Sequence, residues 1–238
     1  MLAKRIIPTI LMKRRQLVKG ERFKSDRVVG DALQAARIHA MRGVDEILML
    51  DVTATKERRE PDYSMIEKLT QTAHIPVTVG GGITHLDHVT KLLRAGADKV
   101  CIGSDKINLI PLVANKFGSQ ALAVTLDVEV DLGYVEAALQ QADMLVHFGA
   151  GEIILQARDR DGTMEGYDHD LIKGVCGYLD VPVIVSGGCS GYADMAKALM
   201  NDADAVAAGA LFQFTDATPK GAAQFLHEQG FEVRVVAG

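Results

Sequence analysis

An internal repeat constrains the fold of this 238-residue chain more than any other feature of its sequence. The following residue types recur at a constant offset of 106: Glu46 and Glu152, Pro76 and Pro182, Gly81 and Gly187, Gly82 and Gly188, Asp98 and Asp204, Gly103 and Gly209. Six coincidences at one offset indicate a duplicated structural unit rather than shared composition.

Short apolar runs carry the repeat, and a helix-like segment follows each of them. The runs are RIIPTIL, EILMLDV, IPVTVGG, DKVCIGS, ALAVTLD, GEIILQA, VPVIVSGG and DAVAAGA. Their nearly unbroken apolar character is typical of strands that are covered on both faces. Eight strands alternating with helices predict an α/β fold, a single (βα)8 TIM barrel over residues 1–238 that is built from two half-barrel repeats.

The first strand departs from the register of the repeat. Matching Leu11 to Asp127 needs an offset of 116, so the first half carries about ten extra residues after its opening strand. These residues belong to the basic segment KRRQLVKGERFKSD. We interpret the segment as a mobile loop that closes over a substrate, in which Lys19 supplies charge and Gly20 a hinge. A plain solvated loop is the alternative.

Composition and charge exclude several classes of protein. A net charge of -5 with scattered signs argues against a general nucleic-acid-binding surface. No window approaches the ~20 apolar residues of a membrane span, and the apolar run near the N-terminus contains a proline and is too short for a signal peptide. We therefore expect a soluble cytoplasmic protein. Cys101, Cys176 and Cys189 lack metal-ligand spacing and are expected to be packed, reduced thiols, and we expect neither a metal nor a cofactor.

Glycines cluster where strands end and helices begin, which is the functional face of such a barrel. Glycine lets the backbone approach a ligand closely, and the N–H groups that follow can bind a phosphate. The repeat places such a glycine cluster at two positions. The sequence therefore predicts two phosphate sites half a barrel apart and a ligand with a phosphate at each end. One site comprises Gly81, Gly82 and Ser104, and the other comprises Gly187, Gly188, Gly209 and Ala210. Simple tight turns are the alternative.

Carboxylates stand at the same strand ends. Asp127 ends the fifth strand and is the predicted general acid or base, with helix capping or pairing to a loop lysine as its alternative role. Asp51 and Asp161 are weaker catalytic candidates, because DVTAT and DRDGT are also typical of helix caps and turns. Leu11, which the half-barrel match places opposite Asp127, can neither donate nor accept a proton.

Charged residues begin several strands at the opposite, N-terminal face of the predicted barrel. They are Arg5, Glu46, Lys99 and Glu152. If all of these side chains point inward, the two cations and two anions must neutralise one another. Such a ring is either a structural plug or a gate through which a small molecule enters the barrel.

Several longer segments resemble one known family over essentially the full chain. MLAKRII, EILMLDVTAT, IPVTVGGGI, AGADKV, GAGEI and DRDGTMEGYD are together similar to the cyclase subunit of imidazole glycerol phosphate synthase. The resemblance implies a barrel that receives ammonia from a glutaminase (amidotransferase) subunit docked on its N-terminal face, through a gate made of the four charged residues above. It also implies a substrate with two phosphates at the glycine clusters.

The resemblance further implies roles for individual residues. Lys19, Asp51 and the Asp161-Gly162 turn match positions that contact substrate. The family uses two aspartates as acid and base; Asp127 matches the second, and Leu11 replaces the first. The chain also lacks the glycine-rich hairpin that the family has after the fifth strand, and the SDKINLIPLV segment is shorter than usual.

One segment, ATKERREPDYSMIEKL, is more similar to a divergent branch of the family. That branch also has a non-acidic residue at the first-strand position, and it is linked to surface-polysaccharide synthesis, where glutamine-derived ammonia converts an acetamido group on a sugar to an acetamidino group. The resemblance therefore implies an ammonia-accepting synthase subunit with a small phosphorylated or sugar-nucleotide substrate. The alternatives are a genuine cyclase of histidine biosynthesis, in which Asp51 substitutes for the missing acid, and a non-catalytic barrel that binds a phosphorylated ligand.

Overall fold

The structure is a computed structural model that describes residues 3–23 and 27–235. Its strands are β1 (Arg5–Lys13), β2 (Gln16–Lys19), β3 (Arg27–Asp31), β4 (Ile47–Asp51), β5 (Val77–Gly80), β6 (Lys99–Gly103), β7 (Leu122–Val128), β8 (Glu152–Ala157), β9 (Val183–Ser186) and β10 (Ala205–Ala208). Its helices are α1 (Ala32–Met41), α2 (Tyr63–Thr70), α3 (Leu86–Arg94), α4 (Ile110–Phe117), α5 (Tyr134–His147), α6 (His169–Val175), α7 (Tyr192–Met200), α8 (Ala210–Phe214) and α9 (Pro219–Glu228).

Eight of the strands close into a parallel barrel. β1 pairs with β4, each later strand pairs with the next one along the chain, and β10 pairs back with β1. Helices alternate with these strands, so the predicted (βα)8 barrel is confirmed. Closure leaves these eight strands no unpaired edge, and all functional strand ends therefore meet at one face.

The apolar residues of the barrel strands separate into two layers, because successive side chains point to opposite faces of a strand. The larger cluster lies between strands and helices and includes Met49, Val79 and Leu155. A smaller cluster fills the barrel interior with Ile7, Leu48, Cys101, Ala123, Ile154, Ile184, Ala205 and Ala207. Small residues make up much of this inner cluster. All three cysteines are buried and unbridged, as the sequence predicted.

The repeat in the sequence is also a repeat of hydrogen bonds. The carboxylate of Asp98 accepts the N–H of Val77 at 2.8 Å, and Asp204 accepts the N–H of Val183 at 3.0 Å. In each half the aspartate thus fastens one strand to the turn that begins the next. The half-barrel match of the sequence therefore corresponds to equivalent positions in the fold.

The segment after the first strand differs from the predicted mobile loop. β1 turns back at Arg14 and Arg15 into antiparallel β2, and β3 pairs with β2. Both turn residues have positive φ, 47° and 73°, as a two-residue hairpin turn with the twist of its strands requires. Leu17 and Val18 are buried, and the basic residues around them concealed this short strand in the sequence. Residues 24–26 of the predicted loop lie outside the described residues.

Between residues 3 and 23 and between 27 and 235, no helix combines the length and the apolar character that crossing a bilayer requires.

Candidate functional site

A cavity of about 670 Å³ opens at the C-terminal end of the barrel. Its volume lies within the range of small-molecule sites, ~300–1,000 Å³. Most of the predicted site residues line it: Lys19, Asp51, Gly81, Asp127, Asp161, Gly162, Gly187, Gly188, Gly209 and Ala210. Gly82 and Ser104 are outside this lining. Leu11 contributes an apolar side chain to the wall.

Lys19 reaches into the barrel mouth from the hairpin rather than from a mobile loop. The residue is 5% exposed, and its ammonium group packs so closely on Gly209 that a β-carbon at position 209 would overlap Nζ. Burial lowers the pKa of Lys19, and the carboxylate of Asp161 opposes that effect. Among the described residues, no hydrogen-bond or ion-pair partner contacts this ammonium group. A buried cation in this state is suited to bind an anionic ligand.

Asp127 and Asp161 occupy the same cavity, and both hold protons more tightly than an ordinary aspartate. Asp127 is accessible from the cavity, and partial desolvation there raises its pKa, while the nearby charge of Arg158 lowers it. Burial also raises the pKa of Asp161, against the charge of Lys19. A carboxyl group with a raised pKa can donate a proton closer to neutral pH.

The carboxylate of Asp51 is engaged in hydrogen bonds and an ion pair within the protein. Its carboxylate accepts the N–H groups of Thr53 at 3.1 Å and Ala54 at 3.0 Å, which shapes the turn after β4. The guanidinium of Arg59 contacts both carboxylate oxygens at 3.1–3.2 Å. The contacts therefore show the turn role for Asp51, and the N-cap of the next helix is Asp62. Sequence reasoning missed Arg59, although it begins the REPDY motif.

The same motif, together with Glu57 just before it, fastens the hairpin to the loop after β4. Arg15 contacts both carboxylate oxygens of Asp62, at 2.5 and 2.9 Å, and Arg14 contacts Glu57 at 3.1 Å. Asp62 also caps α2 by accepting the N–H of Met65. These ion pairs are partly exposed, but together they link the strained hairpin turn to the rim of the cavity.

The paired glycines adopt backbone conformations that other residues rarely take. Gly81 and Gly187 have φ values of 97° and 95°, and Gly82 and Gly188 have 73° and 94°. Both pairs turn the chain directly after a strand, as the repeat predicted. Ser104 begins a short 3₁₀ turn, Ser104–Leu109, beside the first pair.

The four charged residues at the N-terminal face form a closed ring of ion pairs. Arg5 contacts Glu46 at 2.7 Å and Glu152 at 2.8 Å, and Lys99 contacts the same two carboxylates at 3.0 and 2.6 Å. Thr78 donates a hydrogen bond to the second oxygen of Glu46 at 2.5 Å. The ring closes the barrel floor, at the opposite end from the cavity.

Comparison with known proteins gives similarities over nearly the whole chain. The family described as "Histidine biosynthesis protein" matches residues 5–218. Imidazole glycerol phosphate synthase subunit HisF of Dictyoglomus thermophilum is 39% identical over 251 residues, covering 99% of this chain and 100% of that protein. A Campylobacter jejuni protein named putative imidazole glycerol phosphate synthase subunit hisF2 is 38% identical, covering 99% and 100%. Subunit HisF of Streptomyces griseus is 38% identical, covering 98% and 99%.

Proposed function

This chain belongs to the histidine biosynthesis protein family, and on that premise we propose that it is an ammonia-accepting synthase subunit whose substrate binds at the barrel mouth. The observation that carries the proposal is the apolar side chain of Leu11 in the cavity wall. Because leucine cannot transfer a proton, Asp51 is held by Arg59 and Asp161 faces the charge of Lys19, we assign the role of acid or base to Asp127. We infer that the reaction needs one such group and is the amidination of an acetamido sugar in surface-polysaccharide synthesis.

The proposed chemistry fits a single acid that can also act as a base. Ammonia adds to the carbonyl carbon of the acetamido group, and the carbonyl oxygen leaves as water when the acetamidino group forms. Two protons must pass from the added nitrogen to the departing oxygen, and Asp127 relays each of them, donating one to the oxygen and regaining one from the nitrogen in both transfers. Two observations support this role: Asp127 is accessible from the cavity, and partial desolvation there raises its pKa.

Ammonia is proposed to enter through the ring at the barrel floor. A glutaminase (amidotransferase) subunit would dock on the N-terminal face and release ammonia at the ion pairs. Two features support this route: the ring lies at the N-terminal end of the barrel interior, and several members of the interior cluster are small. The proposed gate residues are Arg5, Glu46, Lys99 and Glu152. The small residues are Ala123, Ala205 and Ala207.

The deciding experiment is ammonia-dependent turnover by the purified protein, with products identified by mass spectrometry. The two acceptors are a nucleotide-linked acetamido sugar and the bisphosphate intermediate of histidine biosynthesis. We expect the amidino product from the first and no imidazole product from the second. Asp127→Asn should reduce the rate by about 10²–10⁴-fold. Unchanged turnover in that variant would exclude Asp127 as the acid or base, and no product from either acceptor would instead favour a barrel that only binds its ligand.

A genuine cyclase of histidine biosynthesis is the second candidate, favoured by the 39% identity to a protein of that name. It predicts that the chain restores growth of a histidine auxotroph lacking its own cyclase. A matched Leu11→Asp variant separates the two proposals further. If only that variant supports growth, position 11 accounts for the missing imidazole closure.

A further inference from the structure

The two glycine clusters at the mouth are not equivalent, although the repeat matches them in sequence. The second cluster lines the cavity in full, as Gly187, Gly188, Gly209 and Ala210. In the first cluster Gly81 lines the cavity, while Gly82 and Ser104 do not. The difference arises from the segments that pack over each cluster.

In the first half, the loop after β4 covers the glycine turn and occupies its hydrogen-bond donor. The N–H of Gly82 donates to Oγ1 of Thr55 at 3.2 Å. Both glycine turns are crowded, since a β-carbon would lie 2.7 Å from the carbonyl oxygen of Arg59 on Gly82 and 2.4 Å from that of Gly166 on Gly188, so the two turns differ in their donors and not in space. The donor that a phosphate would need is therefore engaged within the protein.

An acidic side chain adds to this obstruction. Asp105 folds back on the end of β6, and a β-carbon at Gly103 would lie 2.6 Å from its Oδ1. Lys106 pairs with this carboxylate, so the ammonium charge of Lys106 is engaged within the protein as well. The carboxylate of Asp105 thus occupies the space beside Gly103 that a phosphate would need.

In the second half, cation and donor are both available. The ammonium group of Lys19 packs against Gly209 and has no partner among the described residues. Among the residues that the structure describes, none accepts a hydrogen bond from the N–H of Gly188. Lys19 is buried, so an anion bound beside it is shielded from solvent, and a charge-assisted hydrogen bond forms at its full strength.

We propose that the substrate carries phosphate at one end only, bound by Lys19 and the Gly188–Gly209 side of the mouth, and that the end beside Gly81 and Gly103 carries no anionic group. The inference rests on the proposed function in placing the substrate at the mouth. A phosphorylated or nucleotide-linked sugar has this asymmetry, whereas a molecule with a phosphate at each end does not. Only one of the two predicted phosphate sites is then retained.

Binding of inorganic phosphate to glycine-labelled protein, followed by the amide resonances in NMR, tests the inference. We expect the resonances of Gly188 and Gly209 to shift along one saturation curve while that of Gly82 stays in place. Lys19→Met should weaken binding by about tenfold or more. Lys56→Met is the matched control, because this lysine also lines the cavity but is exposed, and it should change binding by less than about twofold.

A gain of binding provides the opposite test. The double variant Thr55→Val and Asp105→Asn frees the Gly82 donor and removes the nearby charge, so phosphate should now also shift the Gly82 resonance. A wild-type protein in which Gly82 and Gly188 shift together, or in which Gly188 does not respond, would overturn the inference even if the variants fail to fold.

The outcomes also separate this inference from the proposed function, because phosphate binding is measured without ammonia or acceptor. One-sided binding without amidination rejects the proposed function alone. Amidination together with two-sided binding rejects the one-sided inference alone.

Discussion

Replacing Lys99 by methionine should destabilise the protein by about 3–5 kcal/mol, because two buried glutamates would then share a single cation. Lys99 Nζ lies 3.0 Å from Glu46 and 2.6 Å from Glu152, and Arg5 makes the matching contacts at 2.7 and 2.8 Å. The side chains of Lys99, Glu46 and Glu152 are only 14%, 4% and 12% exposed. Solvent therefore screens the attraction between these charges only weakly, and its removal is felt nearly in full.

The magnitude follows from the balance of charges in the ring. Unit charges ~3 Å apart attract by about 5–6 kcal/mol at an effective dielectric constant near 20. Removing Lys99 deletes two such attractions, but it also removes the repulsion from Arg5 and the desolvation of the ammonium group. These opposing contributions reduce the net effect to the range observed when one partner of a buried pair is lost, about 3–5 kcal/mol.

The assay is urea denaturation, from which the free energy of unfolding is compared between variants. The double variant Lys99→Met and Glu152→Gln retains the Arg5–Glu46 pair, so it should be less destabilised than Lys99→Met alone. Lys91→Met is the surface control: this lysine is 43% exposed in its pair with Asp87, and the change should leave the free energy of unfolding nearly unaltered. A loss below about 1 kcal/mol for Lys99→Met, or additive losses in the double variant, would refute the reasoning.

Further predictions concern other buried groups. Arg59→Met should lower the free energy of unfolding by about 2–3 kcal/mol in urea, because the buried carboxylate of Asp51 loses its charged partner; an equal loss for the exposed neighbour in Arg58→Met would contradict this. Burial lowers the pKa of His39 to about 4, against 6.5 in the unfolded chain, so the unfolded state binds the proton more readily between these values. The free energy of unfolding should therefore fall by up to about 3 kcal/mol as pH drops from 6.5 to 4, and His39→Gln should lack this component. Burial raises the pKa of each cysteine to about 12, so a thiol reagent should modify none in the native protein and all three after denaturation; rapid native labelling would show that a thiol is accessible.

The order of the barrel strands could be predicted from sequence because the pattern is periodic and local. Apolar runs recur with helix-like segments between them, and parallel strands with such connections close in chain order. The hairpin after β1 could not be predicted in the same way. The segment QLVK has four residues among basic neighbours, and its strand conformation depends on pairing with β1 and β3.

By itself, the sequence determined which residue types stand at the strand ends, including Leu11 and Asp127, because those ends share one face in any parallel barrel. Only the tertiary structure decided their partners. Arg59 binds Asp51, and Lys19 packs against a glycine 190 positions further along the chain, at position 209. Identical glycine pairs in the two halves differ in their free N–H groups, because the availability of a donor depends on the loop that packs over it and not on the residue itself.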